Sequence, residues 1–300
     1  MKPAFPFHEQ LFQWLLSMDM QCDRQPLLVS YFHVLHVRSV QQSALTIVLI
    51  DLDTWTNTNA QEHWSECIRF VETERGLGRN CVFIWEDFWI RKRRIVESRL
   101  LALLGCAHRI PARLTAARRI DKEAANAFLE QNHLNGAVMA KYKYGLFLPA
   151  RYFRVLSEAL TPAGSGELLV AVATFSYPRI FNKDTQPLRS HELIRSASLL
   201  NTNVVGGLDK LLQAFIRDKM PGDIMTYADM EWSAGKSYAR LGFEKISRTA
   251  PETICLDPVA MERSNPSASQ SSPRVNIRNM GSIKFVKTIT PIPIQHINEH

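Results

Sequence analysis

Near residue 200 the chain changes its hydrophobic period, and two adjacent glycines, Gly206 and Gly207, sit at the change. Residues 192–199 alternate in polarity, as a strand does. Beyond the glycines, Leu208, Leu211, Leu212, Phe215 and Ile216 recur at spacings of three and four, the buried stripe of a helix. Pro221-Gly222 then ends it. A strand therefore passes into a helix through Gly206-Gly207. At such a junction the first helical amides have no partner within the helix, and the helix dipole favours an anion. Glycine lets a phosphate approach the backbone with no Cβ in the way. A tight turn without a ligand would use the same residues, so the choice depends on the rest of the chain.

A chain of 300 residues has room for two modest domains or one elaborated one. Its 46% apolar content is that of a globular protein. A net charge of +7 suits a nucleic acid or another acidic ligand. The five cysteines are scattered with no C-x-x-C pair, which argues against a zinc ribbon or a disulfide framework and for reduced thiols in the cytoplasm. Neither a signal peptide nor an apolar run of membrane-spanning length stands out.

In the first part, residues 12–18 read as a short amphipathic helix, and residues 27–37 and 44–52 as a hairpin. Residues 61–74 have helical character, and Cys81-Val82-Phe83-Ile84-Trp85 is a buried strand. A helix is expected over residues 91–104, opened by Arg91, Lys92, Arg93 and Arg94. Cations at a helix N-terminus are unfavourable, so this run is either a solvated face or a phosphate contact.

In the second part, residues 112–120 read as a strand, and Asp121 as the N-cap of a helix over 122–131. Strands are expected at 142–148, 167–176, 191–199, 224–229, 243–248 and 282–289. A polar basic loop is expected at 177–190, and a short helix at 233–241 stopped by Gly242. The expected organisation is a small α/β segment at 1–110, an α/β (α+β) domain at 111–290 with a mobile Ser/Pro/Asn-rich loop near 263–275, and a tail at 291–300.

The order strand, helix, three strands, glycine turn, helix, strand, helix, strand resembles that of a GNAT-type acyltransferase. Val204-Val205-Gly206-Gly207 looks like its pyrophosphate-binding turn, and Ser237-Tyr238-Ala239-Arg240-Leu241-Gly242-Phe243 matches its tyrosine helix and Leu-Gly-Phe exit. The family turn reads Arg/Gln-x-x-Gly-x-Gly/Ala; this chain has Asn203, Gly206 and Leu208 there. A narrower resemblance, over residues 113–285, is to the Mom-like DNA-modification branch found in phages and mobile elements. It rests on Phe128-Leu129-Glu130-Gln131-Asn132-His133-Leu134-Asn135-Gly136, on residues 192–207, on Tyr227-Ala228-Asp229-Met230-Glu231-Trp232-Ser233, and on Gly281-Ser282-Ile283-Lys284-Phe285. The run from Val82 to Leu100 is weakly similar to very-short-patch-repair-like nucleases. Such enzymes need a metal-binding Asp and a Glu-x-Lys pair. Asp51 and Asp53 lie near the right place but no Glu-x-Lys follows on a strand, so a remnant that docks DNA is expected, with no metal assigned.

The resemblance implies a mixed, mostly antiparallel sheet flanked by helices, binding acetyl-CoA or another acyl-CoA at Asn203, Val204, Val205, Gly206, Gly207 and Leu208. It implies N-acyl transfer, with the adenine amine of DNA as the acceptor. Tyr238 would give a proton to the leaving thiolate by that analogy; packing is its other reading. Asp229 and His133 stand at element ends, as a base pair or two metal ligands, or simply as caps. Trp232 and Ser233 would meet a flipped base, unless Trp232 is core. Arg179, Lys183 and Lys284 are candidate phosphate contacts. The competing functions are a non-catalytic DNA-binding protein built from decayed nuclease and GNAT domains, a nuclease using Asp51 or Asp53, and an acyltransferase for a small amine or a protein amine.

Overall fold

The structure, a computed structural model, describes residues 5–29, 31–162, 166–183, 186–264 and 274–289. The chain opens with α1 (Phe7–Ser17), β1 (Gln21–Leu28), β2 (Phe32–Arg38), β3 (Ala44–Ile50), α2 (Leu52–Asn57), α3 (Trp64–Gly76), β4 (Asn80–Trp85) and α4 (Glu86–Leu103). The four strands form one sheet in the order β1-β2-β3-β4. β3 and β4 run parallel and the other pairs antiparallel. Nearly every side chain of β3 and β4 is buried, as expected for strands covered on both faces. β1 is the exposed edge; it carries Pro26, and its polar sequence gave no strand signal.

One expectation is corrected here. α4 begins at Glu86, five residues before the expected start. Glu86 and Asp87 occupy its first turn, where negative charge suits the dipole. The basic run lies further in, across a kink at Lys92, so it does not oppose the helix N-terminus.

The second sheet is built from β6 (Ala116–Arg119), β7 (Tyr142–Pro149), β8 (Glu167–Phe175), β10 (Gln186–Ser198), β12 (Asp223–Asp229), β13 (Glu244–Arg248) and β17 (Ser282–Thr288). Its order is β13-β17-β12-β10-β8-β7-β6. Only β10 and β12 pair in parallel. Helices α5 (Lys122–Asn132), α6 (Gly207–Lys219) and α7 (Lys236–Arg240) complete the expected order of elements. The result is the mixed, mostly antiparallel sheet flanked by helices that the sequence implied.

Strand periodicity sets the layers. Val172 of β8 packs with Ala125, Phe128 and Leu129 of α5. Its neighbours Ala171 and Ala173, with Phe175, join Leu211, Leu212 and Phe215 of α6 on the other face. Phe175 and Phe215 stack at 3.9 Å and 3°. Asp121 caps α5 as expected, accepting from Ala124 N at 2.7 Å.

Three differences bear on function. Residues 177–190 are not a plain loop: β9 (Arg179–Lys183) pairs antiparallel with the start of β10. A short strand, β11 (Thr202–Val205), stands between β10 and α6 and pairs in parallel with β5 (His108–Pro111). A three-stranded insert of β14 (Thr253–Asp257), β15 (Glu262–Ser264) and β16 (Val275–Arg278) stands between β13 and β17, where a mobile loop was expected. Residues 265–273 of that loop and the tail at 291–300 lie outside the described residues.

The two sheets meet through specific bonds. Phe83 N donates to the Glu231 carbonyl at 2.8 Å, and the Arg75 guanidinium to the Met230 carbonyl at 2.8 Å. The Trp55 and Trp64 indoles donate to the Asn276 and Asn279 carbonyls. One continuous apolar core runs through both parts. All five cysteines are free. Among the described residues no helix is long and apolar enough to cross a membrane.

Candidate active site

β10 and β12 are paired only from Ser190–Asp223 to Glu192–Met225 and then part. Beyond Glu192 the register of β10 on β8 shifts between Leu193 and Arg195, a bulge that turns β10 locally. Thr226 Oγ1 donates to the Leu193 carbonyl at 3.0 Å across the start of the gap. The parting strands open a cavity of about 940 Å³. Leu193, Ile194, Arg195 and Ser196 of β10 line one side, and Tyr227, Ala228 and Asp229 of β12 the other. Arg99 of α4 and Arg263 of the insert close it, so the first sheet's helix and the insert both furnish walls.

Of the residues expected to act, His133, Asp229, Trp232, Ser233 and Tyr238 all line this one cavity. Asp229 ends β12. Its Oδ1 accepts from Glu231 N at 2.9 Å, while its carbonyl accepts from Trp232 N and Ser233 N. The capping role and the cavity position therefore belong to the same side chain. Ser233 is held by its own turn, with Oγ accepting from Gly235 N at 2.9 Å. Gly235 has φ +77°, and a Cβ there would come within 2.3 Å of the Phe285 ring, so glycine is required beside α7. Tyr238, on α7, packs its ring at 5.6 Å from Phe243 and 5.7 Å from Phe285.

His133 departs from its expected role as a base. Its Nδ1 accepts from Asn135 N at 3.1 Å. Loss of hydration, followed by the charges of Arg195, Arg99 and Lys92, lowers its pKa to about 3. A neutral imidazole that accepts at Nδ1 carries its proton on Nε2. His133 is thus a neutral imidazole at neutral pH, with Nε2–H available to donate.

Trp232 is 3% exposed, with the Arg99 guanidinium 4.4 Å over its ring. A stacked nucleobase finds that face taken, so Trp232 forms wall rather than platform. Its Nε1 is buried without a partner, as is Nε of Arg195.

Glu231 was not singled out by the sequence. Its side chain is 2% exposed and accepts from Trp85 Nε1 at 3.1 Å. Burial, then the charge of Asp229, raises its pKa to about 8. Burial also raises Asp229, opposed by its amide bond and by Arg99, Arg263 and Arg75. At neutral pH Glu231 holds a proton, while Arg99, Arg263 and Arg75 act against the burial that raises Asp229. Arg263 is committed elsewhere, bonding both oxygens of Asp87 at 2.6 and 2.9 Å. Arg99 had a sequence signal: it lies three residues after Val96 and four before Leu103, on the apolar stripe of α4.

These shifts give opposite pH slopes. The folded protein holds the Glu231 proton after the unfolded chain has released its own, so this group costs stability as pH rises from about 4.5 towards about 8. His133 stays neutral in the fold below its ordinary pKa of 6.5, so it costs stability as pH falls through 6.5 towards about 3. Glu231→Gln is expected to flatten the alkaline slope alone, measured by urea unfolding from pH 5 to 9. An unchanged slope would refute the raised carboxyl.

The other expected residues lie apart. Asn203, Val204, Val205, Gly206, Gly207 and Leu208 are not among those lining the cavity. β11 carries the turn to the side of β7: Gly206 lies against Ala112 and Gly207 against Leu146. Gly206 is exposed, with φ +77°, and heads α6 with no capping side chain. Arg179 is exposed on β9 opposite Ser190, before the strands part. Lys284 sits across from Tyr227, outside the lining. The side chain of Lys183 lies outside the described set.

No protein-family model matches the chain, and no curated protein matches it. Solved structures do. The NatC complex bound to Gag peptide and CoA shares 10% identity, with 59% of this chain and 99% of that chain covered and a TM-score of 0.34. The histone acetyltransferase HPA2 and related acetyltransferase from Corynebacterium glutamicum shares 12%, covering 59% and 98% with a TM-score of 0.33. The KacTA–DNA complex shares 18%, covering 44% and 86% with a TM-score of 0.29.

Proposed function

We propose that the protein is an N-acyltransferase that takes an acyl group from acetyl-CoA or another acyl-CoA and places it on a nucleobase amine, the adenine amine of DNA, as a Mom-like modification. The observation that carries this reading is the cavity where β10 and β12 part, with Asp229, Glu231, His133 and Tyr238 on its walls. Its volume of about 940 Å³ suits an extruded base together with a thioester arm. The edge of β10 turned towards the gap lacks a β12 partner beyond Glu192, and an extended amide chain can pair with such an edge. At Gly206 no side chain competes for the first-turn amides of α6, which fits a phosphate, although Asp209 in that turn opposes one. In this reading Asp229 takes the proton released as the amine attacks the thioester carbonyl. The Nε2–H of His133 is available to the carbonyl oxygen, and Tyr238 donates to the departing thiolate.

The second reading is DNA binding without transfer. One observation favours it: the glycine turn is absent from the cavity lining. The net charge of +7 serves both readings. Incubation with acetyl-CoA and duplex DNA, then nucleoside mass spectrometry, separates them. Transfer predicts an adenosine heavier by one acetyl group, and a yield lowered about 10²–10³-fold in Tyr238→Phe. Salt-sensitive DNA binding with no CoA heat and no modified nucleoside would establish the second reading instead.

A further inference from the structure

Away from this cavity, three side chains from distant parts of the first sheet converge. His8 stands in the first turn of α1, His33 is the second residue of β2, and Asp51 follows the last residue of β3. One nitrogen of each histidine and one oxygen of Asp51 lie within 4.8 Å of one another. The two imidazoles stack at 3.7 Å and 18°. His8 Nδ1 is 3.5 Å from Asp51 Oδ1, and no hydrogen bond joins them.

Nothing in the fold explains this grouping. His8 Nδ1 and Asp51 Oδ2 are both buried and both lack a hydrogen-bond partner among the described residues. Unpaired buried polar atoms are costly, and two facing one another ask for a shared partner. The nearest cation, Arg24, is engaged by Glu9 at 2.5 Å. Glu86 is tied to the same corner by accepting from Leu52 N at 2.9 Å, which fixes the chain just after Asp51.

We infer that His8, His33 and Asp51 bind one divalent transition-metal ion, of the zinc, cobalt or manganese kind. Two imidazoles and one carboxylate suit such ions, whereas Mg²⁺ prefers an all-oxygen shell. At ordinary bond lengths three ligand atoms about one tetrahedral ion lie about 3.3 Å apart. From a spread of 4.8 Å the ligand atoms need close by about 1.5 Å at most, and the stacked rings must tilt so that the ion lies in both planes. Three protein ligands leave a coordination position for water, the arrangement of sites that act on a ligand rather than merely hold a fold. Its residues all precede α4 in the chain and include none of those assigned to acyl transfer, so failure of the acyltransferase reading leaves it standing.

The test uses the full chain stripped with a chelator and titrated with Zn²⁺ against a chromophoric competitor. One equivalent is expected to bind, with Mg²⁺ unable to displace it. Asp51→Asn, nearly isosteric, and His33→Gln are each expected to weaken binding at least about tenfold. His36→Gln is the control, because His36 Nδ1 is already held by Thr46 Oγ1 at 2.9 Å; it should bind as before. Co²⁺ should give intense visible bands that Asp51→Asn abolishes. Absence of stoichiometric Zn²⁺ binding overturns the inference. So does binding that Asp51→Asn, confirmed folded by circular dichroism, leaves unchanged.

Discussion

Asp229→Asn is expected to lower acyl transfer by about 10²–10⁴-fold, the range for loss of a positioned general base. The substitution preserves shape: an Asn oxygen still accepts from Glu231 N, so the turn that sets Trp232 and Ser233 survives. What it removes is the capacity to take a proton. Coenzyme affinity should stay within about threefold, because the residues that would hold the diphosphate lie on α6 and not on β12. The Asp229 charge also raises Glu231, so its loss lets Glu231 ionise at lower pH, towards but not down to the ordinary carboxylate range. Residual transfer in the variant should therefore recover in part as pH rises. Single-turnover assays with acetyl-CoA and DNA from pH 6 to 9 read both effects. A loss of less than about threefold, with no change in pH profile, would remove Asp229 from the chemistry.

The sequence made the second sheet legible because its elements carry strong periodic signals. The apolar run of β8 and the regular stripe of α6 let the succession of strands and helices be anticipated, although not the order of strands in the sheet. The site residues on element ends were legible for the same reason: His133 and Asp229 stand where a helix and a strand stop. What failed depended on tertiary partners. β11 is four residues long and exists because β5 offers it a parallel edge. The glycine turn that follows it is not among the residues lining the cavity, which no local pattern foretold. The strands of the insert β14-β15-β16 are only three to five residues long and gave no clear signal, yet the insert is pinned by the Trp55 and Trp64 indoles. Glu231 was passed over because a lone acid beside two large apolar residues reads as surface, and only the fold shows it sealed beneath Trp85. His8, His33 and Asp51 are far apart in sequence and meet only through sheet register.

Trp85→Ala is expected to be the most destabilising single change near the site, by about 3–5 kcal/mol for a large buried aromatic. Trp85 is fully buried, 5.0 Å from Trp55 and 5.8 Å from Trp64, at the centre of an aromatic group that joins the first sheet to the insert. Truncation opens a cavity there and strands the Glu231 oxygen that the indole had satisfied, at a further cost of about 1–3 kcal/mol. Together, about 4–8 kcal/mol lowers the melting temperature by roughly 8–30 °C for a large chain. Trp85→Phe separates packing from hydrogen bonding. It keeps most of the ring volume and loses the donor that favours ionised Glu231, so the Glu231 pKa moves above about 8. The pH at which stability stops falling then shifts to more alkaline values. A Trp85→Ala protein less than about 1 kcal/mol weaker, or a Trp85→Phe protein with the wild-type pH dependence, would mean that the first sheet does not govern the buried carboxyl pair. With the expected results, the first hundred residues act as one wall of the site: they set the protonation of Glu231 through an indole, and they place Arg99 against Trp232 from a helix that the second sheet does not own.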